Sequence, residues 1–258
     1  MKKANFILNT GVALTLLFVF AYCNKPETVG NNQLTKEEKE QGWELLFNGK
    51  NFEGWRGLGR DTVETNHWTV EDGMIHKVDN REVPLLPNGE KINGGDLMTI
   101  DTFDNFELSW EWKIKEAGNS GIKYNVSEKI ATTYGSGFGA LGFEYQILDD
   151  GHEIYKDLNP YQFTGSLYDF YAPHNVHLKP IGEFNQSTIK LNGNHGEHWL
   201  NGVKVLEYEM GTAEFDSLFQ ASKFAKYKDF EKKRSGHIVI TNHTDESWYR
   251  NIKIRKIN

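Results

Sequence analysis

Asn105-Phe-Glu-Leu-Ser-Trp-Glu-Trp-Lys-Ile-Lys115 alternates without a break. Phe106, Leu108, Trp110, Trp112 and Ile114 share one parity; Glu107, Ser109, Glu111, Lys113 and Lys115 share the other. Successive side chains of a β-strand point to opposite faces, so this is a long strand with one face in a core and the other toward water or a groove. Residues 121–126 repeat the pattern, with Ile122, Tyr124 and Val126 inward and Lys123 and Asn125 outward. In residues 142–149, Phe143, Tyr145 and Ile147 point one way and Glu144 and Gln146 the other. Further strands are expected at residues 68–70, 188–191, 198–200, 204–208, 237–241 and 248–257. Asp72-Gly73, Asn88-Gly89, Asn93-Gly94-Gly95, Asp150-Gly151, Asn192-Gly193 and Asn201-Gly202 supply turns between strands. One short helix is expected near residues 216–224, and residues 127–142 read as a loop over one end. Many strands and few helices predict an all-β sandwich or jelly roll.

The beginning of the chain is built differently. Lys2 and Lys3 precede a charge-free, mostly apolar run over residues 6–22, the pattern of an export signal. The run ends in Phe20-Ala21-Tyr22-Cys23, which approximates a lipobox, although Tyr22 is bulkier than the small residue usual there. It is shorter than the about 20 apolar residues of a spanning helix. The reading is a signal peptide over residues 1–22, and lipid on Cys23 that tethers the protein to a membrane. A polar stalk follows to residue 40, and one domain occupies residues 41–258. The corresponding location is the periplasm or the outer membrane. Cys23 is the sole cysteine, so the domain has no disulfide and no cysteine-based metal site. Net charge is −7, and −9 without Lys2 and Lys3, which makes nucleic acid an unsuitable partner. Seven Trp, 11 Tyr and 16 Phe suit a β core and sugar-stacking surfaces.

Chemistry-bearing motifs are few. Gly137-Phe-Gly-Ala-Leu-Gly142 matches the letter of a dinucleotide fingerprint, but a strand follows it instead of a helix, so it reads as a tight loop. The histidine pairs at 174/177 and 195/198 fall in strand or hairpin context, where such spacing places the rings on opposite faces. Two histidines alone are a weak metal site. His198 and His243 lie on separate strands whose convergence in space the sequence leaves open. Glu144 and Gln146 project from the non-core face of one strand, and Lys123 and Glu111 are outward in the same sense. A carboxylate beside an amide on a groove face can hold sugar hydroxyls or move a proton. Asn119-Ser120-Gly121 reads as a turn opening a strand. No Gly-x-Ser-x-Gly elbow and no phosphate loop is present.

Ten ordered blocks carry a resemblance spanning nearly all of residues 41–258. Among them are Gly42-Trp-Glu-Leu-Leu-Phe-Asn-Gly-Lys50, Gly95-Asp-Leu97, Gly118-Asn-Ser-Gly-Ile-Lys-Tyr124, Glu144-Tyr-Gln-Ile-Leu-Asp-Asp150, Gly165-Ser-Leu-Tyr168, His198-Trp-Leu-Asn-Gly202 and Ser222-Lys-Phe224. The chain resembles the 3-keto-disaccharide hydrolase family. That resemblance implies a concanavalin-like jelly roll of two antiparallel sheets and an exported enzyme acting on 3-keto-glucosides. Glu183-Phe184-Asn185 replaces the family's Glu-Trp-Asn, and Ile240-Thr241-Asn242-His243 replaces its glutamine-rich block.

A ketone at C3 acidifies the C2 hydrogen, so a base can drive loss of the C1 substituent, and hydration of the enone completes a net hydrolysis. Glu144 and His198 are the expected base and acid. Lys123 and Gln146 are expected to hold the keto oxygen, and Asp149, Tyr168, Asn119 and His243 to bind the sugar. A divalent metal ion in the groove is an alternative polarising group. A separate sugar-oxidising oxidoreductase would make the ketone. Two rivals remain open: a carbohydrate-binding module without turnover, and a glycosidase with a second carboxylate about 5–9 Å from Glu144.

Overall fold

The computed structural model describes Met1, residues 29–135 and residues 137–257. The expected signal peptide, Cys23 and the first residues of the stalk therefore lie outside the described residues. No helix among those described is long and apolar enough to cross a membrane.

Two antiparallel sheets face each other. The eight-stranded sheet runs, in spatial order, Val203–Glu209, His195–Leu200, Asn185–Asn192, Phe106–Ile114, Ser247–Lys256, Met74–Lys77 and Trp68–Glu71, with Glu44–Leu45 also paired to Ser247–Lys256. The five-stranded sheet runs Trp55–Gly57, Leu97–Thr99, His237–Ile240, Asn119–Val126 and Phe143–Leu148. This is the expected jelly-roll β-sandwich.

The alternation in Phe106–Ile114 has the predicted result. Its five apolar side chains are buried between the sheets, none more than 3% exposed. Its outward carboxylates are taken up by arginines: Glu107 accepts from Arg255 Nε at 2.8 Å and Glu111 from Arg250 Nε at 2.7 Å, both across to the neighbouring strand. Cross-strand pairs of this kind use up the polar face. Hydrogen bonds also join the sheets through the core. Trp112 Nε1 donates to Ser187 Oγ (2.8 Å), which donates to the Tyr145 hydroxyl (2.9 Å). At one end Phe143 meets Tyr124, Phe170, Phe215 and Phe230 edge-on, the geometry aromatic quadrupoles favour. Helix Ala213–Ala221 contributes Phe215 to this cluster. It begins three residues before the expected helix because the Thr212 side chain caps it, accepting from Phe215 N at 3.2 Å.

Three expectations are corrected. The loop over residues 127–142 contains a helix, Glu128–Tyr134, capped by Ser127 and held by a two-pronged Arg56–Glu128 pair at 2.6 and 2.7 Å. Val126 does not share the inward face of Ile122 and Tyr124; it packs with Leu58, Met98 and Val239 in a second cluster. The cause is a bulge: His237 pairs with Val126 and Val239 with Lys123, so one strand advances three residues while its partner advances two. Asn125 occupies the bulge at φ +56°, and its amide accepts from Arg234 N and donates to Lys232 O, both at 2.8 Å. Finally, the described part of the stalk is docked. Thr35 and Glu38 form a capping box on helix Lys36–Glu40, and Glu38 pairs with Lys253. Asn32 and Asn251 exchange backbone-to-side-chain hydrogen bonds at 2.6 and 2.9 Å. These contacts fasten the segment to the outer face of the larger sheet.

Candidate active site

The outer face of the five-stranded sheet holds the chemistry. Lys123 and Glu144 are direct cross-strand partners, as are Gly121 and Gln146. Period-2 geometry therefore puts Lys123, Glu144 and Gln146 on one surface, opposite the core residues Ile122, Tyr124, Phe143 and Tyr145. Lys123 Nζ lies 3.9 Å from Glu144 Oε2 and donates to the Ala140 carbonyl at 3.0 Å. Glu144 is buried, and its Oε1 has no hydrogen-bond partner. The carboxylate lies over Gly121, where a Cβ would stand 2.4 Å from Oε1. The strand expected to open at Gly121 already runs from Asn119, so Asn119 and Ser120 are paired strand residues instead of a turn, and the missing side chain of Gly121 is the space Glu144 occupies.

His243 joins this cluster from the irregular segment after His237–Ile240, within electrostatic reach of Glu144, Lys123 and Asp96. Burial lowers its pKa; Glu144 and Asp96 oppose that effect, while Lys123 adds to it. The imidazole is thus neutral at neutral pH. Burial also works against the Lys123 ammonium, but Glu144 and Asp96 outweigh it and raise the lysine's pKa above its ordinary value. Asp96, which sequence reasoning did not single out as a site residue, accepts from Ala140 N at 2.7 Å and Asn242 N at 2.8 Å. Both its oxygens serve the backbone, so it anchors the loops flanking the cluster. Its signal was a lone Asp between a Gly-Gly turn and the buried Leu97 and Met98.

Of the other expected residues, Gln146 donates to Asn119 Oδ1 at 3.4 Å, extending the polar surface along the strand. Tyr168 is tied to the Glu144 backbone (Tyr168 N to Glu144 O, 3.0 Å), and Lys223 Nζ lies 4.2 Å above its ring. Lys223 is thereby a second cation at the rim. Asp149 is not in the cluster. It accepts from Ala117 N at 2.9 Å and fixes a turn, about 17 Å along the strand from Glu144 at ~3.4 Å per residue.

His198 is also placed elsewhere. It is fully buried between the sheets, with Nε2 against the Tyr124 hydroxyl at 2.8 Å and Nδ1 against the Gly165 carbonyl at 3.0 Å. It therefore lies on the core side of the sheet that carries Glu144, and does not converge with His243. Burial lowers its pKa from 6.5 to about 4. The folded protein thus keeps this ring neutral where the unfolded chain protonates it, so stability falls as pH drops from 6.5 toward 4. The slope is about 1.4 kcal/mol per pH unit. In His198→Phe that slope is gone. Urea unfolding of both proteins at pH 7, 6 and 5 will show the stability gap between them narrowing toward acid. A constant gap would contradict a neutral buried histidine.

Among the described residues, one set of three side chains could hold a metal: His195, Glu197 and Glu207, with ligand atoms within 4.8 Å. It lies on the other sheet, and Lys204 already bonds both glutamates.

A jelly-roll sandwich with a buried carboxylate and a half-buried ammonium on one sheet face, and a neutral imidazole within electrostatic reach of both, is the frame of a carbohydrate-active enzyme. The model of the 3-keto-alpha-glucoside-1,2-lyase-like domain matches residues 42–255, and the chain belongs to that family. It is 35% identical over 237 residues to a 3-keto-disaccharide hydrolase of Bacteroides thetaiotaomicron, covering 84% of this chain and 79% of that protein. Two solved structures from Parabacteroides distasonis, each provisionally described as a glycosyl hydrolase, share the fold. One superposes with a TM-score of 0.75 at 31% identity, over 89% of this chain and 100% of that one. The other has a TM-score of 0.62 at 26% identity, over 83% and 99%.

Proposed function

We propose that this enzyme cleaves the glycosidic bond of 3-keto-glucosides by β-elimination followed by hydration. The observation that carries the reading is the Glu144 carboxylate, buried with one oxygen free and a lysine ammonium 3.9 Å from the other. Glu144 is the base for the C2 proton. Lys123 stabilises the charge that develops on the C3 oxygen, where a fixed cation in a water-poor site is most effective. His243, neutral and within electrostatic reach of both, relays the proton and orients the water that adds to the enone. Gln146, Asn119 and Tyr168 bind sugar hydroxyls.

Two features favour this over the rivals. Asp96, a further carboxylate acting on the cluster, is committed to two backbone N–H groups and is not free to serve as the paired acid of an ordinary glycosidase. A half-buried lysine beside a buried glutamate also serves chemistry better than the aromatic platform of a binding module. The deciding experiment incubates the enzyme with a 3-keto-glucoside and with its unoxidised parent. Cleavage of the keto form alone is expected; cleavage of both forms, or of neither, would overturn the reading.

The same reading places the enzyme outside the cytoplasm, with lipid on Cys23 and a separate oxidoreductase supplying the ketone. Residues 41–258 act as the catalytic domain, with the preceding segment as its tether. Metabolic labelling with palmitate tests the anchor: label in the native chain and none in Cys23→Ser is expected.

A further inference from the structure

The outer face of the eight-stranded sheet carries three rows of side chains that run across the strands, and the strand register fixes them. The first row is Arg255, Glu107, Lys190 and Glu197; the second is Lys253, Ser109, Thr188 and Trp199; the third is Arg250, Glu111 and Gln186. The short side chains of Ser109 and Thr188 thus lie between two rows of long ones. That difference in height makes a trough with a serine–threonine floor, bounded by Trp199 at one end and Lys253 at the other. The two ends are three strand spacings apart, about 14 Å.

Two cavities occupy the trough. One, about 240 Å³, is walled by Ser109, Glu111 and Lys253 together with Asn31, Gln33 and Thr35 of the docked N-terminal segment. The other, about 220 Å³, is walled by Glu107, Thr188, Lys190, Trp199 and Gly202. Gln186 lines both, so they adjoin. The walls are held in place by their own contacts. Glu111 accepts from Arg250 Nε at 2.7 Å and from Asn251 Nδ2 at 2.9 Å, and Gln186 Nε2 donates to Ser109 Oγ at 3.4 Å. Trp199 Nε1 donates to Glu197 at 2.8 Å, and Lys190 Nζ lies 4.9 Å from the centre of the indole. The half-buried indole is therefore a fixed platform and not a swinging one.

The charges compensate one another. Cation and anion alternate along the first row, Arg250 pairs with Glu111 in the third, and Glu38 pairs with Lys253 at the end of the second. A polyanion or a polycation would find no excess of opposite charge here. What the trough presents is hydroxyl, amide and carboxylate groups beside an indole. Hydroxyls of a neutral sugar can both donate to and accept from such groups, and its C–H face packs on an aromatic ring.

The geometry points to a second carbohydrate site: the trough binds an extended stretch of neutral glycan laid along the rows. Glu144 lies on the outer face of the other sheet, so the occupant is not the bond being cleaved, and the site does not depend on the elimination proposed above. It holds the enzyme on a polysaccharide while the opposite face works on small substrates.

The test is calorimetric titration of the full-length enzyme with cellopentaose and, as a charged chain of the same length, pentagalacturonate. The native protein is expected to bind cellopentaose, and pentagalacturonate about tenfold more weakly or not at all. Trp199→Ala and Gln186→Ala should each weaken cellopentaose binding about tenfold, the size of loss that marks an interface anchor. Thr188→Phe raises the floor of the trough and should abolish binding. Thermal unfolding checks that each variant is folded, and turnover of a small 3-keto-glucoside should be unchanged in all three. Absence of cellopentaose binding, or binding that ignores Thr188→Phe, would overturn the inference; so would pentagalacturonate binding as tightly. A dimer seen by sedimentation and broken by Thr188→Phe, with no sugar bound, would give the face to a second copy of the chain and overturn it as well. Failure of the native enzyme to cleave a 3-keto-glucoside would instead overturn the elimination, and the titration would still decide whether the trough takes a sugar chain.

Discussion

Glu144→Gln will lower turnover of a 3-keto-glucoside by about 10²- to 10⁴-fold, the range that loss of a positioned general base produces. The substitution keeps the shape of the side chain and removes its basicity. The strand should be undisturbed, because Glu144 sits in a ladder whose backbone pairing with Lys123 does not depend on the carboxylate. The loss should fall on kcat with KM little changed, since the base acts in the transition state. A second effect belongs to Lys123. Glu144 is the largest influence opposing the burial of that ammonium, so its removal should lower the lysine's pKa. An NMR titration of the Lys123 Nζ signal in the two proteins reads that shift directly. Wild-type turnover in Glu144→Gln would sink the assignment; an unchanged lysine titration would show that the pair is not coupled.

The two sheets divide the work, and the sequence reveals this division unevenly. Both present alternating strands, so both outer faces look equally polar on paper. On the larger sheet the outward Glu107 and Glu111 find arginine partners on the adjacent strand. On the smaller sheet Glu144 faces a lysine and a glycine, and retains a free oxygen. Parity alone carried Lys123, Glu144 and Gln146 to the correct face. Parity also held the information that His198 shares a face with Leu200, which is buried; its placement among catalytic residues ignored that neighbour. Two features were beyond any periodic reading. The bulge at Asn125 depends on long-range bonds to Lys232 and Arg234, and it reverses the face of Val126. His243 lies in the irregular segment after His237–Ile240 and Asp96 just ahead of Leu97–Thr99, each outside the paired residues, where no period assigns a direction.

Gly121→Ala tests whether the site depends on an absent side chain. The backbone at Gly121 tolerates alanine, since it lies in a strand outside the left-handed region, and Thr241 N donates to its carbonyl at 3.0 Å as in any ladder. The new methyl would stand 2.4 Å from Glu144 Oε1, 3.1 Å from its Cγ and 3.2 Å from its Cδ. The carboxylate is the flexible partner, so it swings away while the sheet stays put. A displacement of about 1 Å in a catalytic group can cost 10²-fold in rate, and about that loss of kcat is expected here. Thermal unfolding should stay near the native value, because a rotated side chain relieves the overlap. The double variant Gly121→Ala/Glu144→Gln separates positioning from any other effect. If Gly121 acts only by making room for Glu144, the double variant should be no slower than Glu144→Gln alone, since residues working as one unit are not additive. Losses that multiply instead would mean that Gly121 matters for something other than Glu144, such as room for the sugar itself. The free carboxylate oxygen would then be an accident of packing, and the base would have to be sought at His243.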